Sequence, residues 1–156
     1  MYFESVVNYW TDNPDGFKPP RIQVKRHLLV RGYTYTEAEA VSVEWGTKET
    51  EEEIKISPIK ELSLYTVVED DPDGKFFKVD VLYPEETPKG KIRMQKVSLM
   101  VQSASDVEAI KIVKKYFDFL PTRDELVIKA VTLTEIEEYL KTDEGDYIPL
   151  YTKSVK

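Results

Sequence analysis

Two stretches of this sequence match each other strand for strand, and this internal repeat constrains the fold more than any other feature. Residues 2–9 and 76–83 each begin with two aromatic residues and end in tyrosine. Each stretch has the alternation of a β-strand and is followed by a loop that contains proline and glycine. A second strand with an apolar centre comes next, at residues 22–31 and 92–102. The sequence therefore predicts the same strand pair twice.

A helix start follows the second strand in both copies. Thr36 and Ser105 each stand three residues before a glutamate. This spacing is typical of a capping box, in which the hydroxyl and the carboxylate bind free backbone N–H groups of the first turn. Apolar residues recur at helical spacing from Ala109 until Pro121, which is expected to stop the second helix. We expect Gly46 to end the first helix.

A third strand closes each copy, at residues 54–68 and 125–140. Pro58 should bend the first of these strands or confine it to a sheet edge, because proline cannot donate to a ladder. Residues 134–140 have a competing helical interpretation, but equivalence with the first copy favours a strand. The turn-rich stretch 69–75 is expected to form a hairpin between the two copies.

These elements predict an α+β fold. We interpret the chain as a tandem duplication of a ββαβ unit, with a mainly antiparallel sheet, two covering helices and a C-terminal tail. Residues 1–140 are expected to form a single domain from repeats 1–70 and 75–140, and residues 141–156 form the tail. The repeat also suggests two sheets or half-barrels related by a pseudo-twofold axis.

Composition limits the function. The 156 residues include no cysteine, which excludes a disulfide framework, a cysteine nucleophile and a thiolate metal site. No signal peptide is recognisable at the N-terminus, and no apolar run approaches the roughly 18 residues of a membrane helix. We expect a soluble protein with no membrane partner. The net charge of −7 argues against general coating of nucleic acid.

The sequence contains no recognisable catalytic constellation. His27 is the only histidine, so a multi-histidine metal site is excluded, and no nucleophile or orienting acid can be assigned to it. Glycine-rich phosphate loops are absent, and the glutamate runs are typical of solvated faces. We expect no catalytic residue, no metal, no cofactor and no enzymatic activity. An unrecognised site with perturbed carboxylates is the remaining enzymatic hypothesis.

Positive charge is concentrated at equivalent places of the repeat. Residues 16–36 and 87–105 contain no acidic residue, and each stretch covers a loop and a second strand. The basic residues there are Lys18, Arg21, Lys25, Arg26 and Arg31 in the first copy and Lys89, Lys91, Arg93 and Lys96 in the second.

Two interpretations of these basic stretches remain open. Arginine and lysine could neutralise phosphates of single-stranded nucleic acid, while Phe17, Tyr33 and Tyr35 could stack on bases. Alternatively, lysines protect an edge strand, or the basic strands pair with acidic neighbours such as residues 51–53.

The tail carries an apolar patch of Tyr147, Ile148, Leu150 and Tyr151. This patch either packs on its own domain or docks on a partner. Because no catalytic constellation is present, a protein partner or a homo-oligomer is the first expectation for function, and single-stranded nucleic acid is the alternative.

The arrangement resembles an uncharacterised family of small proteins from Bacteroidetes and their tailed phages, catalogued only as a domain of unknown function. The matching residues lie between residues 2 and 140, at Phe3, 36–40, Phe77 and 101–109. The acidic segment 47–53 and the tail depart from the family pattern. The resemblance implies a phage-associated protein, either a virion component or an accessory factor in the cytoplasm of a bacterial host, and it implies no chemistry.

Overall fold

The computed structural model describes residues 1–16 and 18–142. The order of its strands and helices confirms the α+β fold and the predicted duplication. The elements are β1 (Tyr2–Asp12), β2 (Arg21–Arg31), α1 (Tyr35–Glu49), β3 (Lys55–Ile56), β4 (Lys60–Leu62), β5 (Thr66–Glu69), β6 (Lys75–Glu86), β7 (Ile92–Ser103), α2 (Asp106–Tyr116), β8 (Val127–Leu133) and β9 (Ile136–Lys141). The patch Tyr147, Ile148, Leu150 and Tyr151, like Phe17, lies outside the described residues.

The chain forms two compact units. Unit 1 contains Met1–Leu62 and the chain from Ile136 onward, and unit 2 contains Ser63–Glu135. The sheet of unit 1 has the order β3-β1-β2-β9, with β4 also paired to β1, and the sheet of unit 2 has the order β8-β6-β7-β5. Each sheet therefore has an antiparallel hairpin at its centre, an antiparallel strand on one side and a parallel strand on the other.

The last strand of each repeat belongs to the sheet of the other repeat. β5 pairs in parallel with β7, and β9 pairs in parallel with β2. The predicted third strands, 54–68 and 125–140, are therefore each divided into pieces that serve different sheets. The prediction that Pro58 interrupts an edge is confirmed, because it separates β3 from β4 at the edge of β1. Residues 134–140 contain β9, as expected for a strand.

The hairpin predicted at residues 69–75 is wrong. β5 and β6 lie on opposite sides of β7, so the connection between them crosses the end of β7. The N–H groups of Asp70 and Asp71 donate to the Gln102 carbonyl, each at 3.1 Å. A Cβ at residue 74 would collide with the Ser103 backbone, so this crossing requires Gly74.

Both helices begin with a side-chain cap, but the cap of α1 lies two residues earlier than predicted. Thr34, and not Thr36, accepts from the N–H of Glu37 at 3.1 Å, and the Glu37 carboxylate accepts from Tyr33 N–H at 2.7 Å. Ser105 accepts from Glu108 N–H at 3.2 Å, as predicted. The two threonines at 34 and 36 both precede acidic residues by three, so local spacing could not choose between them.

Gly46 does not end α1, which continues to Glu49. The helix instead passes so close to the sheet that a Cβ at residue 46 would lie 2.7 Å from Ile54 Cδ1 and 3.0 Å from Val7 Cγ1. α2 ends at Tyr116, before the predicted stop at Pro121. The glycine thus serves close packing rather than helix termination.

Each unit buries its core between the helix and one face of the sheet. Phe3 in unit 1 and Phe77 in unit 2 occupy equivalent positions, opposite Val30 and Val101. The buried cluster is Phe3, Val7, Leu28, Val30 and Ala38 in unit 1. In unit 2 it is Phe77, Val79, Val81, Tyr83, Leu99, Val101, Ala109, Val113 and Phe117. Neither described helix is long and apolar enough to cross a membrane.

Candidate functional site

The strand register divides the basic residues of β2 between two faces of the unit 1 sheet. Arg26 lies opposite Val7, whereas Lys25 lies opposite Asn8 and Arg21 opposite Asp12. Because successive side chains of a strand alternate, Arg26 faces α1, and Lys25 and Arg21 face away from it. We call the second face the outer face of unit 1.

Arg26 is engaged within unit 1. Its Nε donates to Glu137 Oε1 at 2.8 Å, and its guanidinium carbon lies 5.0 Å from the centre of the Trp45 ring. Burial by itself would lower the pKa of Arg26. Two effects outweigh burial and raise this pKa: the hydrogen bonds to Tyr9 and Glu137, and the negative charge of Glu137. Glu49 lies 3.8 Å away. Arg26 therefore holds β9 and α1 against β2.

Arg21 also has acidic partners. It forms an ion pair with Glu52, lies 3.8 Å from Asp12, and donates to the Trp10 carbonyl at 3.1 Å. The interpretation that basic residues pair with the acidic segment is therefore correct for Arg21. For Arg21 and Arg26, binding a phosphate would compete with a glutamate already present.

The outer face of unit 1 joins two lysines through an asparagine. Lys55 of β3, Asn8 of β1 and Lys25 of β2 are successive cross-strand neighbours. Asn8 Nδ2 donates to the Lys55 carbonyl at 3.2 Å and to Ser57 Oγ at 2.9 Å, which ties β3 to β1. A groove of about 250 Å³ opens here, lined by Asn8, Gln23, Lys25, Lys55, Ile56 and Ser57.

Trp10 lies on the same face, two residues from Asn8 along β1, with 54% of its surface exposed. Its cross-strand neighbour is Gln23. Trp10 is not among the residues predicted to stack on bases, which are Phe17, Tyr33 and Tyr35. Alternation along β1, combined with the β1–β2 register, could have placed Trp10 beside Lys25.

The second basic stretch forms the tip of the β6–β7 hairpin. Lys89 and Lys91 lie in the turn, where Thr87 N–H donates to the Lys91 carbonyl at 2.7 Å and Gly90 adopts a φ of 81°. Such a conformation favours glycine. Arg93 and Lys96 follow on β7, and both are exposed. Among the residues that the structure describes, none forms an ion pair with these four side chains.

Large apolar side chains accompany this basic tip. Ile92 is 65% exposed and Met94 is 53% exposed, and both point to the face opposite α2. Leu82 and its neighbour Val127 continue the same face. A groove of about 420 Å³ lies at the turn, lined by Thr87, Pro88, Lys89, Lys91, Ile92 and Arg93. We call residues 82–96 of this hairpin the unit 2 arm.

The remaining predicted residues do not join either surface. Lys18 is exposed in the loop before β2, and Arg31 is the last residue of β2, opposite Tyr2. Tyr35 is the first residue of α1, and its ring packs edge-on against Phe3 with centroids 5.1 Å apart. That contact ties Tyr35 to the core of unit 1.

His27 lies within β2, with Nδ1 3.6 Å from Glu4 Oε2, and its backbone N–H donates to Glu137 Oε2 at 3.1 Å. In residues 1–16 and 18–142, no cluster of three histidine, aspartate or glutamate side chains could hold a metal ion.

Burial, and then the charges of Glu85 and Tyr65, raise the pKa of Tyr83. This tyrosine belongs to the core of unit 2.

Comparison with known proteins gives a family without a described activity. A family model described as "Domain of unknown function (DUF4494)" matches residues 1–143. The match spans both repeats and every strand and helix of the described residues. No curated protein matches the chain.

Proposed function

Starting from the fact that this chain belongs to the DUF4494 family, a domain of unknown function, we propose that it is a non-enzymatic interaction protein whose unit 2 arm docks on a partner protein. The partner surface would be apolar with an acidic rim. It would cover Ile92 and Met94 with apolar groups and place carboxylates opposite Lys96 on the same face. Further carboxylates would reach Lys89, Lys91 and Arg93 around the hairpin tip, where Arg93 lies on the other face of β7.

One observation carries this proposal. The arm exposes two large apolar side chains beside four basic ones that lack an acidic partner among the described residues. Single exposed apolar residues are common, but apolar residues grouped with an excess of one charge are typical of binding surfaces. The arm carries four basic residues against two carboxylates, Glu85 opposite Arg93 and Glu86 opposite Ile92. Charge complementarity would steer an acidic partner, and the apolar side chains would supply most of the affinity.

We extend this proposal to the biological context that the sequence resemblance implies. The protein would be phage-associated and would act in the cytoplasm of a bacterial host, either as a virion component or as an accessory factor. A homo-oligomer is the competing outcome, in which the arm would contact a second copy of the chain.

Site-specific photo-crosslinking tests the arm. A photoreactive residue replaces Ile92 in the full chain, which is expressed in the organism that encodes it. The matched control carries the same residue at Val107, which is 57% exposed and lies on α2. We expect one protein to crosslink from position 92 only, with the yield reduced by high salt and by K91E/R93E.

Three outcomes would contradict the proposal. The same crosslinks from position 107 would show contact without specificity. Crosslinks from position 92 only to nucleic acid would show that the partner is not a protein. Crosslinks only to a second copy would show that the arm mediates self-association. Circular dichroism of K91E/R93E controls for folding, which should not change because both side chains are exposed.

Single-stranded nucleic-acid binding through the second strands of both hairpins is the alternative proposal. In this form it has less support, because Arg21 and Arg26 already pair with glutamates. Lys25 differs from these two arginines, because it forms no ion pair among the described residues.

A further inference from the structure

The outer face of unit 1 combines an aromatic ring and two cations on three adjacent strands. Trp10 lies two residues from Asn8 on the same face of β1, which corresponds to about 7 Å along the strand. Lys25 and Lys55 flank Asn8 on the two neighbouring strands, so their backbones lie about 10 Å apart. Lys25 and Lys55 thus border one shallow groove, and Trp10 lies beyond it on the same face, opposite the lining residue Gln23.

Positive charge is not cancelled inside this groove. At the tip of the hairpin, Asp12 and Glu52 both pair with Arg21. Among the described residues, neither Lys25 nor Lys55 forms an ion pair, and both side chains are exposed. The other lining residues, Asn8, Gln23, Ile56 and Ser57, carry no charge. An anionic chain can therefore approach the groove without displacing a carboxylate from either lysine.

From this arrangement we infer that the outer face of unit 1 binds single-stranded nucleic acid, with one base stacked on Trp10 and the backbone phosphates on Lys25 and Lys55. A half-exposed indole offers a flat surface to any base, and lysines contact phosphates as point charges. A base paired in a duplex cannot present its ring face to Trp10, so single strands are the expected form. This inference does not depend on the unit 2 arm.

A salt titration tests the phosphate contacts. A fluorescently labelled oligothymidylate of about 12 nucleotides, within the site sizes of small single-strand binding domains, reports binding by anisotropy. Two phosphate contacts predict a slope of about −1.4 in log K against log salt, since each contributes about −0.7 on a single strand. K25A/K55A should weaken binding at low salt at least about tenfold and bring the slope close to zero.

Trp10 variants separate stacking from charge. W10L should weaken binding about tenfold while leaving the salt slope unchanged, because it removes the ring and no cation. W10F retains a ring and should lose less. In a W45F background Trp10 is the only tryptophan, so its fluorescence should be quenched by the oligonucleotide.

K48A is the matched control, because Lys48 is an exposed lysine of α1 that pairs with Glu44 at 3.4 Å. It should bind like the unaltered protein. No anisotropy change at low salt, an equal loss in K48A and K25A/K55A, or equal binding of a duplex would each overturn the inference. So would a W10L protein that remains folded by circular dichroism and binds with unchanged affinity.

Discussion

Beneath α1 of unit 1 lies a pair of serines, whereas unit 2 has a pair of valines at the equivalent positions beneath α2. Ser42 Oγ is 2.7 Å from Ser5 Oγ and 2.8 Å from the Ala38 carbonyl, and both serines are fully buried. Val79 and Val113 occupy these positions in unit 2 and are also fully buried. The same buried position is therefore filled by a hydrogen-bonded pair in unit 1 and by an apolar pair in unit 2.

The next turn of each helix shows a larger difference. Gly46 of α1 lets the helix approach Val7 and Ile54, and the equivalent position after α2 is Phe117, which is 1% exposed. Phe117 contacts Tyr83 with ring centroids 5.5 Å apart and Tyr65 at 5.9 Å. Unit 1 thus fills this space with backbone, and unit 2 fills it with an aromatic ring.

The outer faces of the two hairpins have diverged as well. Lys25 and Lys96 are equivalent, but Gln23 of unit 1 corresponds to Met94 of unit 2, and Trp10 corresponds to Pro84. The two units keep the same strand order although these outer-face positions differ. The two proposed binding surfaces include the positions that differ.

The largest expected effect is on Phe117. F117A should lower the free energy of unfolding by about 3–5 kcal/mol, because it removes a buried aromatic side chain from the core of unit 2. In unit 1, G46A should change this free energy by no more than about 1 kcal/mol. Its gain in helix propensity opposes close contacts with the flexible end of Ile54 and with Val7 Cγ1.

Urea denaturation followed by circular dichroism measures both variants. If G46A costs as much as F117A, α1 cannot move away from the sheet, and the two packing solutions are equally rigid. If F117A costs less than about 1 kcal/mol, the ring does not support unit 2 as its contacts indicate.

The serine pair gives an effect of intermediate size. S42V should destabilise the protein by about 1–3 kcal/mol, because Ser5 loses its partner while it remains buried. S5V/S42V should recover most of this loss, since it reproduces the valine pair of unit 2. The coupling energy from the double-mutant cycle is the measurement, and additive losses would show that the serines act independently.

The smallest effect concerns pH. Burial and neighbouring charges raise the pKa of Tyr83 above its usual value, so the folded protein favours the protonated phenol. The stability that this contributes is complete below the unfolded pKa of about 10 and is lost as pH rises through the folded pKa. We therefore expect Y83F to reduce the loss of stability as pH rises above about 10.

Urea denaturation at each pH checks this, with Y9F, the equivalent position of unit 1, as the control. Y9F leaves Tyr83 in place, so the high-pH loss from Tyr83 should persist. An identical pH profile for Y83F and the unaltered protein would contradict the expected contribution of Tyr83.

Much of the fold could be predicted, because its signals are local. Alternation in residues 2–9 and 76–83 placed β1 and β6, and the spacing from Ser105 to Glu108 placed the start of α2. The cap of α1 was misplaced, because Thr34 and Thr36 both fit the local rule. The prediction that Gly46 ends α1 is wrong, because the sequence does not distinguish a glycine that lets a helix pack closely on a sheet from one that ends a helix.

The candidate surfaces were predicted only in part. The charge pattern located both basic hairpins, and Lys25 and Lys96 are indeed exposed. The charge pattern could not show that the Arg26 guanidinium stacks on Trp45 and binds Glu137, because Glu137 belongs to β9, far along the chain. The exposure of Trp10, Ile92 and Met94 likewise depends on which elements leave each face uncovered.

The sequence by itself determined that a strand–strand–helix–strand pattern occurs twice and that its apolar positions form helix-facing cores. Only the tertiary structure decided that β5 and β9 are exchanged between the two sheets and that two arginines are engaged by glutamates. The reason is physical. Periodicity and helix caps depend on neighbours a few residues away. Strand pairs and ion pairs join residues that are distant along the chain, and many strand edges or carboxylates could serve equally well as the partner.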